Sequence, residues 1–216
     1  MLNADQRDML GELLNIAFGR AAAPIARLMG RFVGLSPPQV EAINRGTAVP
    51  WLQERFGPGS HVHVVQQSFQ PTLLGEAILV MRAEQGAYAW GLFADPSDEP
   101  DETEEKDAAL EVANLLVGAC IARLAELLQT SVRCTPPRLT LFGRPLEELE
   151  VAPGPDVGLL VIHTRFTVEE TRFESCLFLV LSPEVLGWLR GTLDRLVETY
   201  TGDLSGQEDS SAAIAG

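Results

Sequence analysis

Two pairs of polar residues with the same spacing are the first candidates for chemistry in this sequence. Glu12 precedes Asn15 by three residues, and Glu111 precedes Asn114 by the same interval. At about 100° per residue, the two members of each pair share one side of a helix, opposite the neighbouring leucine, valine and alanine positions. Each pair therefore presents a carboxylate beside a carboxamide, which both donates and accepts hydrogen bonds, to whatever lies outside the helix.

The two pairs belong to an internal duplication. The stretch that opens at Asp8 aligns without a gap with the stretch that opens at Asp107, at an offset of 99 residues. Besides the Glu/Asn pairs, the matched positions include a glycine and a Pro-Pro dipeptide: Gly19 with Gly118, and Pro37-Pro38 with Pro136-Pro137. Farther along, Glu76 matches Glu174 at an offset of 98. A repeat of this length indicates two lobes rather than a solenoid.

A polar stripe on one helix is ordinarily a solvated face and nothing more. Other exposed positions differ between the two copies, since Arg20 matches Ala119 and Arg27 matches Glu126. The Glu/Asn pairs are the same in both copies. That contrast favours a functional role for Glu12, Asn15, Glu111 and Asn114.

The paired glycines have two alternative explanations. Gly19 and Gly118 lie on the same predicted helical side as the Glu/Asn pairs. Glycine inside a helix costs about 1 kcal/mol relative to alanine, so its presence in both copies needs a reason. Either a neighbouring helix packs closely against it, or the missing side chain gives another protein clearance to approach the Asn.

Each copy predicts a long helix, then strands, then a closing helix. The long helices are predicted at 5–30 and 104–128, the strands at 39–44, 61–70, 75–81, 138–142, 157–168 and 172–181, and the closing helices at 84–93 and 183–199. We therefore predict an α/β (α+β) protein in which two pseudo-two-fold lobes share one roughly six-stranded sheet, with the motif-bearing helices on one side. The repeats span about 5–94 and 104–200, joined by an acidic linker at 95–106 and followed by a disordered tail at 201–216.

Composition excludes several classes of function. The net charge of −14 argues against binding to nucleic acid or to an anionic membrane surface. Residues 95–107 hold eight acids and one lysine, half of that net charge, and are either a solvated linker or a docking patch for a basic partner. With no apolar run of 18 residues and no signal peptide, we predict a cytoplasmic protein without membrane insertion.

Cysteine and histidine give no pattern typical of a metal site. Cys120, Cys134 and Cys176 are widely spaced without a CxxC motif, which indicates core residues rather than disulfides or zinc ligands. His61 and His63 alternate along a predicted strand and so face the same way, but neither has a counterpart in the second copy. His163 stands alone. No metal site is predicted.

The repeated motif resembles the CheC/CheX/FliY phosphatases of bacterial and archaeal chemotaxis. That family shares the pattern Asp or Ser, three residues, Glu, two residues, Asn, twenty-two residues, Pro. The matching positions are Asp8, Glu12, Asn15 and Pro38 in the first copy, and Asp107, Glu111, Asn114 and Pro137 in the second. Two intact motifs resemble the CheC branch more than single-motif CheX. Pro24, expected to kink the first helix, and the acidic insert depart from the pattern.

The resemblance implies a mechanism. The substrate would be the aspartyl phosphate of a CheY-like response regulator, which holds its own Mg²⁺, so this chain would bind no cofactor. Asn15 and Asn114 would orient the attacking water, and Glu12 and Glu111 would pair with the receiver's lysine. Asp8 and Asp107, expected at helix starts, and Gly19 and Gly118 would have supporting roles. Two alternatives stay open: a non-catalytic receiver-binding or switch-complex adaptor, and a scaffold that binds a CheD-like deamidase.

Overall fold

The computed structural model describes residues 2–30, 32–71, 75–85, 100–150, 158–168, 171–181 and 183–212. Its helices are α1 (Ala4–Met29), α2 (Ala48–Phe56), α3 (Glu102–Leu127) and α4 (Pro183–Ala212). Its strands are β1 (Val33–Leu35), β2 (Gln39–Asn44), β3 (His61–Pro71), β4 (Gly75–Arg82), β5 (Val132–Cys134), β6 (Arg138–Pro145), β7 (Gly158–Val168) and β8 (Thr171–Leu181). Short 3-10 turns cover Arg45–Thr47, Ala83–Gln85 and Leu146–Glu148.

These strands form one antiparallel sheet that both repeats share. The order is β1-β7-β8-β4-β3-β5, with β2 also paired to β7 and β6 also paired to β3. The first two strands of each repeat therefore pair with the third strand of the other repeat. At the centre, β4 and β8 pair so that Leu79 faces Leu177, its own counterpart at the offset of 98. The predicted pseudo-two-fold axis passes between these two leucines, and the shared sheet is confirmed.

Two hydrophobic layers sandwich the sheet. On one side, which we call the helical face, α1, α3 and α4 pack over the alternate inward residues of the strands, and α1 also packs against α3. On the other side, a smaller cluster is built on α2, with Trp51, Leu52 and Phe56 packed against Phe178. Both motif-bearing helices thus lie on the same side of the sheet, as predicted.

The prediction from the sequence omits two short strands, β1 and β5, and one helix, α2. β1 and β5 are three residues each, too short for an alternating pattern to be recognised. The prediction of roughly six strands is therefore two strands short of the eight in the described part of the chain. In α2, the buried residues Ala48, Trp51, Leu52 and Phe56 follow helical spacing, and Pro50 lies in the first turn, where its missing amide costs little. The sequence therefore contains a helical pattern of apolar residues from which α2 could have been predicted.

The acidic linker is partly helical. Asp101 is the N-cap of α3, and Glu102, Glu104 and Glu105 lie in its first turn, where carboxylates interact favourably with the helix dipole. The prediction of a linker through residue 106 is wrong from Glu102 onward. Residues 95–99 lie outside the described residues, as does most of the helix predicted at 84–93.

One further expectation about the helices stays a prediction, and another differs from the structure. α1 runs without interruption through Pro24, and the kink expected at this proline stays a prediction. α4 continues to Ala212, over most of the segment predicted as a disordered tail. Extending an established helix by further residues costs less free energy than nucleating a new one. This difference explains how the small, polar residues after Thr201, which are poor helix formers, continue α4.

One helix in the described part of the chain is apolar enough to cross a membrane by length and composition. It covers Glu102–Glu126 within α3, and 59% of its apolar window is buried inside the fold. The apolar character of α3 is explained by its packing against both the sheet and α1. A helix that is buried on several sides needs apolar residues on most of its circumference.

Both motif-bearing helices begin with a capping box. In α1 the Asn3 side chain accepts from the Gln6 amide at 2.8 Å, and the Gln6 side chain accepts from the Asn3 amide at 2.9 Å. In α3 the Asp101 carboxylate accepts from the Glu104 amide at 2.9 Å, and Glu104 accepts in return from the Asp101 amide at 2.9 Å. Each box satisfies amides that the first helical turn would leave free.

Removing either cap should destabilise the fold. We expect Asn3→Ala and Asp101→Ala each to lower the free energy of unfolding by about 1 kcal/mol, because amides of the first turn lose their acceptor. Urea titration followed by circular dichroism measures this change. Asn44→Ala is the matched control, because Asn44 is exposed and its side chain forms no hydrogen bond among the described residues. Unchanged unfolding midpoints in both cap variants would contradict the capping assignment.

Candidate functional site

The four residues of the Glu/Asn pairs are all exposed. Glu12 and Asn15 lie on α1, and Glu111 and Asn114 lie on α3. The opposite sides of these helices carry the buried positions, which are Leu10, Leu13, Leu14 and Ala17 on α1 and Val112, Ala113, Leu116 and Val117 on α3. The helical periodicity therefore places both pairs on the outer surface of the helical face. A large partner can reach them there.

A groove brings the first motif together. It has a volume of ≈ 600 Å³ and runs between the N-terminal half of α1 and the loop that joins β1 to β2. All four motif positions of the first copy line it: Asp8, Glu12, Asn15 and Pro38. Arg7, Gly11, Pro37 and Val40 complete the walls. Residues that are thirty positions apart in the sequence thus meet at one surface site.

The second motif is assembled through a residue that the sequence did not single out. Gln67 lies on β3, and its side-chain nitrogen Nε2 donates to the backbone carbonyl of Thr135 at 2.7 Å. The same Nε2 donates to Oδ1 of Asn114 at 3.2 Å. Thr135 immediately precedes the Pro136-Pro137 dipeptide. Gln67 therefore connects the Asn of the second motif to the loop that carries its proline.

The first site has a different residue at the position of Gln67. β7 carries Thr164 there, two residues before Phe166, just as Gln67 is two residues before Phe69; each phenylalanine pairs with the short strand β1 or β5. The Thr164 hydroxyl donates to the carbonyl of Ser36 at 3.0 Å. Ser36 is the counterpart of Thr135 at the offset of 99. Among the described residues, no hydrogen bond reaches the Asn15 side chain, so the two sites are not identical.

The two motif glycines face open space. A methyl group added at Gly19 or at Gly118 would have no atom within 4 Å outside its own helix. Close packing of a neighbouring helix, one of the two explanations for these glycines, is therefore wrong. The explanation by clearance stays a prediction, because an unfilled surface beside each Asn is what it requires.

Asp8 and Asp107 do not cap their helices. α1 begins at Ala4 and α3 at Glu102, so both aspartates lie one turn inside, and the capping acceptors are Asn3 and Asp101. The expectation of Asp8 and Asp107 at helix starts is thus wrong, although Asp8 lines the first groove. The pattern of a cap followed three residues later by Gln or Glu was readable in the sequence.

The histidines and cysteines lie elsewhere in the fold. His63 is buried. Its Nδ1 accepts a hydrogen bond from the backbone amide of Gly143, and its Nε2 is hydrogen-bonded to the backbone carbonyl of Ala83. Burial lowers the pKa of the His63 imidazole. His61, on the same strand, is exposed. Among the described residues, no three His, Cys, Asp or Glu side chains form a group suited to a metal ion. In the described part of the chain, no disulfide joins Cys120, Cys134 or Cys176, and burial raises the pKa of the Cys120 thiol.

No family model and no curated protein matches the chain. Solved structures do match it. FliY from Thermotoga maritima aligns with a TM-score of 0.70 at 20% identity, covering 90% of this chain and 98% of that one. FliM in the FliG–FliM complex from H. pylori aligns with a TM-score of 0.58 at 10% identity, covering 87% and 99%.

CheX from Desulfovibrio desulfuricans also aligns, with a TM-score of 0.51 at 13% identity, covering 78% of this chain and 99% of that one. The chain therefore has the fold of FliY, FliM and CheX, and the fold that the repeated motif implied is confirmed. Its place in the two-motif CheC branch stays a prediction.

Proposed function

We propose that this chain, with the fold of FliY and CheX, is a phosphatase that hydrolyses the aspartyl phosphate of a CheY-like response regulator. The observation that carries the proposal is the convergence of Asp8, Glu12, Asn15 and Pro38 on one exposed groove. Asp8, Glu12 and Asn15 share α1, whereas Pro38 follows Asn15 by 23 positions and lies on the loop between β1 and β2. A solvated helix face alone gives no reason for that proline to lie beside the Glu/Asn pair. The likeness to chemotaxis and switch proteins adds support at the level of the fold.

The carboxamides are suited to positioning a water molecule. Asn15 and Asn114 are exposed, neutral, and able both to donate and to accept hydrogen bonds. A docked receiver would bring its phosphoryl group, and the Mg²⁺ that it holds, against one of these amides. The amide orients a water in line with the phosphorus–oxygen bond of the aspartyl phosphate. Water oxygen bonds to phosphorus, the aspartate leaves as a carboxylate, and inorganic phosphate is released.

The glutamates are suited to fixing the docked geometry. Glu12 and Glu111 precede their Asn by three residues, so their side chains are neighbours on the helix surface, with Cβ atoms about 5–6 Å apart. Each carboxylate can pair with the receiver's active-site lysine while the adjacent Asn reaches the phosphoryl group. A carboxylate in place of the Asn would instead repel the phosphoryl oxygens.

No nucleophile of this chain takes part in the proposed reaction, which suits an open groove at the surface. The substrate protein carries the phosphoryl group and the metal ion, and this chain supplies two polar side chains on a rigid helix. Such a site needs an open surface, because an entire receiver domain must dock on it. The proposed substrate also places the protein in the cytoplasm.

Phosphate release from phosphorylated receivers tests the proposal directly. We expect this protein, at catalytic concentration, to accelerate loss of phosphate from a CheY-like receiver in the presence of Mg²⁺. Inorganic phosphate is followed with time, and the receiver's own rate is the reference. Binding of the phosphorylated receiver without any acceleration would contradict the enzyme. It would favour an adaptor instead, a role consistent with the fold shared with FliM, which was crystallised with FliG.

A further inference from the structure

We propose that Gln67 is a positioning residue for Asn114, which it holds with the amide nitrogen facing outward, and that the first site lacks this device. The inference rests on the proposed function, because it concerns the amide that would orient the water. Gln67 lies on the helical face of β3 between two buried core residues, Val65 and Phe69. Its side chain is 2% exposed, yet it reaches the surface residue Asn114.

The hydrogen bonds fix the orientation of both amides. The carbonyl of Thr135 can only accept, so the end of the Gln67 side chain that lies 2.7 Å from it must be Nε2. The second hydrogen of Nε2 then needs an acceptor, and Oδ1 of Asn114 lies at 3.2 Å. Asn114 is therefore bound through its oxygen. Its Nδ2 group, with two donors, points away from Gln67 and is available to an anionic phosphoryl oxygen or to water.

The side-chain oxygen of Gln67 indicates that stability alone does not explain a glutamine at this position. Its Oε1 is buried without a hydrogen-bond partner in the described part of the chain. An unpaired buried acceptor is unfavourable, and an apolar residue at this position would avoid it. Satisfying the Thr135 carbonyl does not require a glutamine either, because Thr164 serves the equivalent carbonyl of Ser36 with a hydroxyl. What the longer side chain adds is the contact to Asn114.

Holding Asn114 changes how the second site would work. A free surface Asn samples several rotamers and both amide orientations, and ordering it during docking costs conformational entropy. Asn114 is already ordered by Gln67, whereas Asn15 has no hydrogen bond among the described residues. In the second site, Asn114 therefore presents its Nδ2 donor before the receiver docks. In the first site, the side-chain amide of Asn15 becomes ordered only when the receiver docks.

The test uses variants in which one site works at a time. In an Asn15→Ala background, Gln67→Met keeps the volume of the side chain but removes the donor. We expect kcat for phosphate release to fall about fivefold, the effect of one neutral hydrogen bond, with little change in KM. The matched control is Gln53→Met in the same Asn15→Ala background. Gln53 lies on α2, on the other side of the sheet, and its Nε2 donates to Glu147 at 2.8 Å, so kcat should stay the same.

A measurement on the unmodified protein covers the case in which Gln67→Met fails to fold. Nitrogen-15 relaxation of the side-chain amides should give a higher order parameter for Asn114 than for Asn15, with Asn→Ala variants assigning the signals. Equal order parameters, or an unchanged kcat in Gln67→Met, would overturn this inference alone. If Asn114→Ala in the Asn15→Ala background leaves phosphate release unaffected, the proposed function fails instead.

Discussion

The double variant Asn15→Ala/Asn114→Ala should lose its acceleration of phosphate release and leave the receiver to dephosphorylate at its own rate. Each substitution removes the carboxamide that would orient the attacking water, while the glutamates and the surrounding helix surface remain. Binding of the phosphorylated receiver should therefore persist. Turnover is measured by phosphate release and binding by titration with the phosphorylated receiver, and each single variant should retain the activity of one site.

Stability provides the control for that experiment. Asn15→Ala truncates an exposed side chain without a hydrogen bond among the described residues, so it should change the free energy of unfolding by only a few tenths of a kcal/mol. Asn114→Ala should cost about 1 kcal/mol, because Gln67 loses its acceptor. Asn44→Ala, on an exposed strand end, should leave turnover and stability unchanged. An active double variant would exclude the water-positioning role and leave only the fold in common with FliY, FliM and CheX.

The candidate site could be predicted in the parts that depend on one helix. Spacing alone placed Glu12 and Asn15 on an exposed side, because the period of an α-helix relates residues three apart. Comparison of the two repeats then distinguished the exposed polar residues that are identical in both copies from the exposed residues that differ. Gln67 could not be found in this way, since its contact with Asn114 crosses from strand to helix, and no local pattern marks which strand residue lies beneath a given turn.

The fold shows the same limit at a larger scale. Alternation of apolar residues predicted β3 and β4 to within a residue or two, because each strand is long enough for its pattern to repeat. The exchange of strands between repeats was not predictable. Pairing of β2 with β7 depends on the packing of both halves together, and either repeat alone would leave strands unpaired. The duplication predicted the symmetry but not which half each strand joins.

Substitution of the paired glycines should separate docking from stability. Gly19→Ala and Gly118→Ala should each raise the free energy of unfolding by up to about 1 kcal/mol, because alanine is the better helix former and the added methyl group meets nothing within 4 Å. The stabilising effect is measured by urea titration. This sign is opposite to the one expected for glycines that support close helix packing.

Larger side chains at the same positions should block the partner. Gly19→Leu and Gly118→Leu place an apolar branch one helical turn from Asn15 and Asn114, on the surface that a receiver must approach. In the combined variant, we expect the affinity for a phosphorylated receiver to fall at least about tenfold, as for any interface in which a new side chain costs about 1.4 kcal/mol or more. Gly187→Leu is the matched control, because Gly187 is exposed in α4 with nothing within 4 Å of an added Cβ. Undiminished affinity in the combined variant would mean that receivers dock elsewhere, since this surface cannot admit both the leucines and a partner's active site.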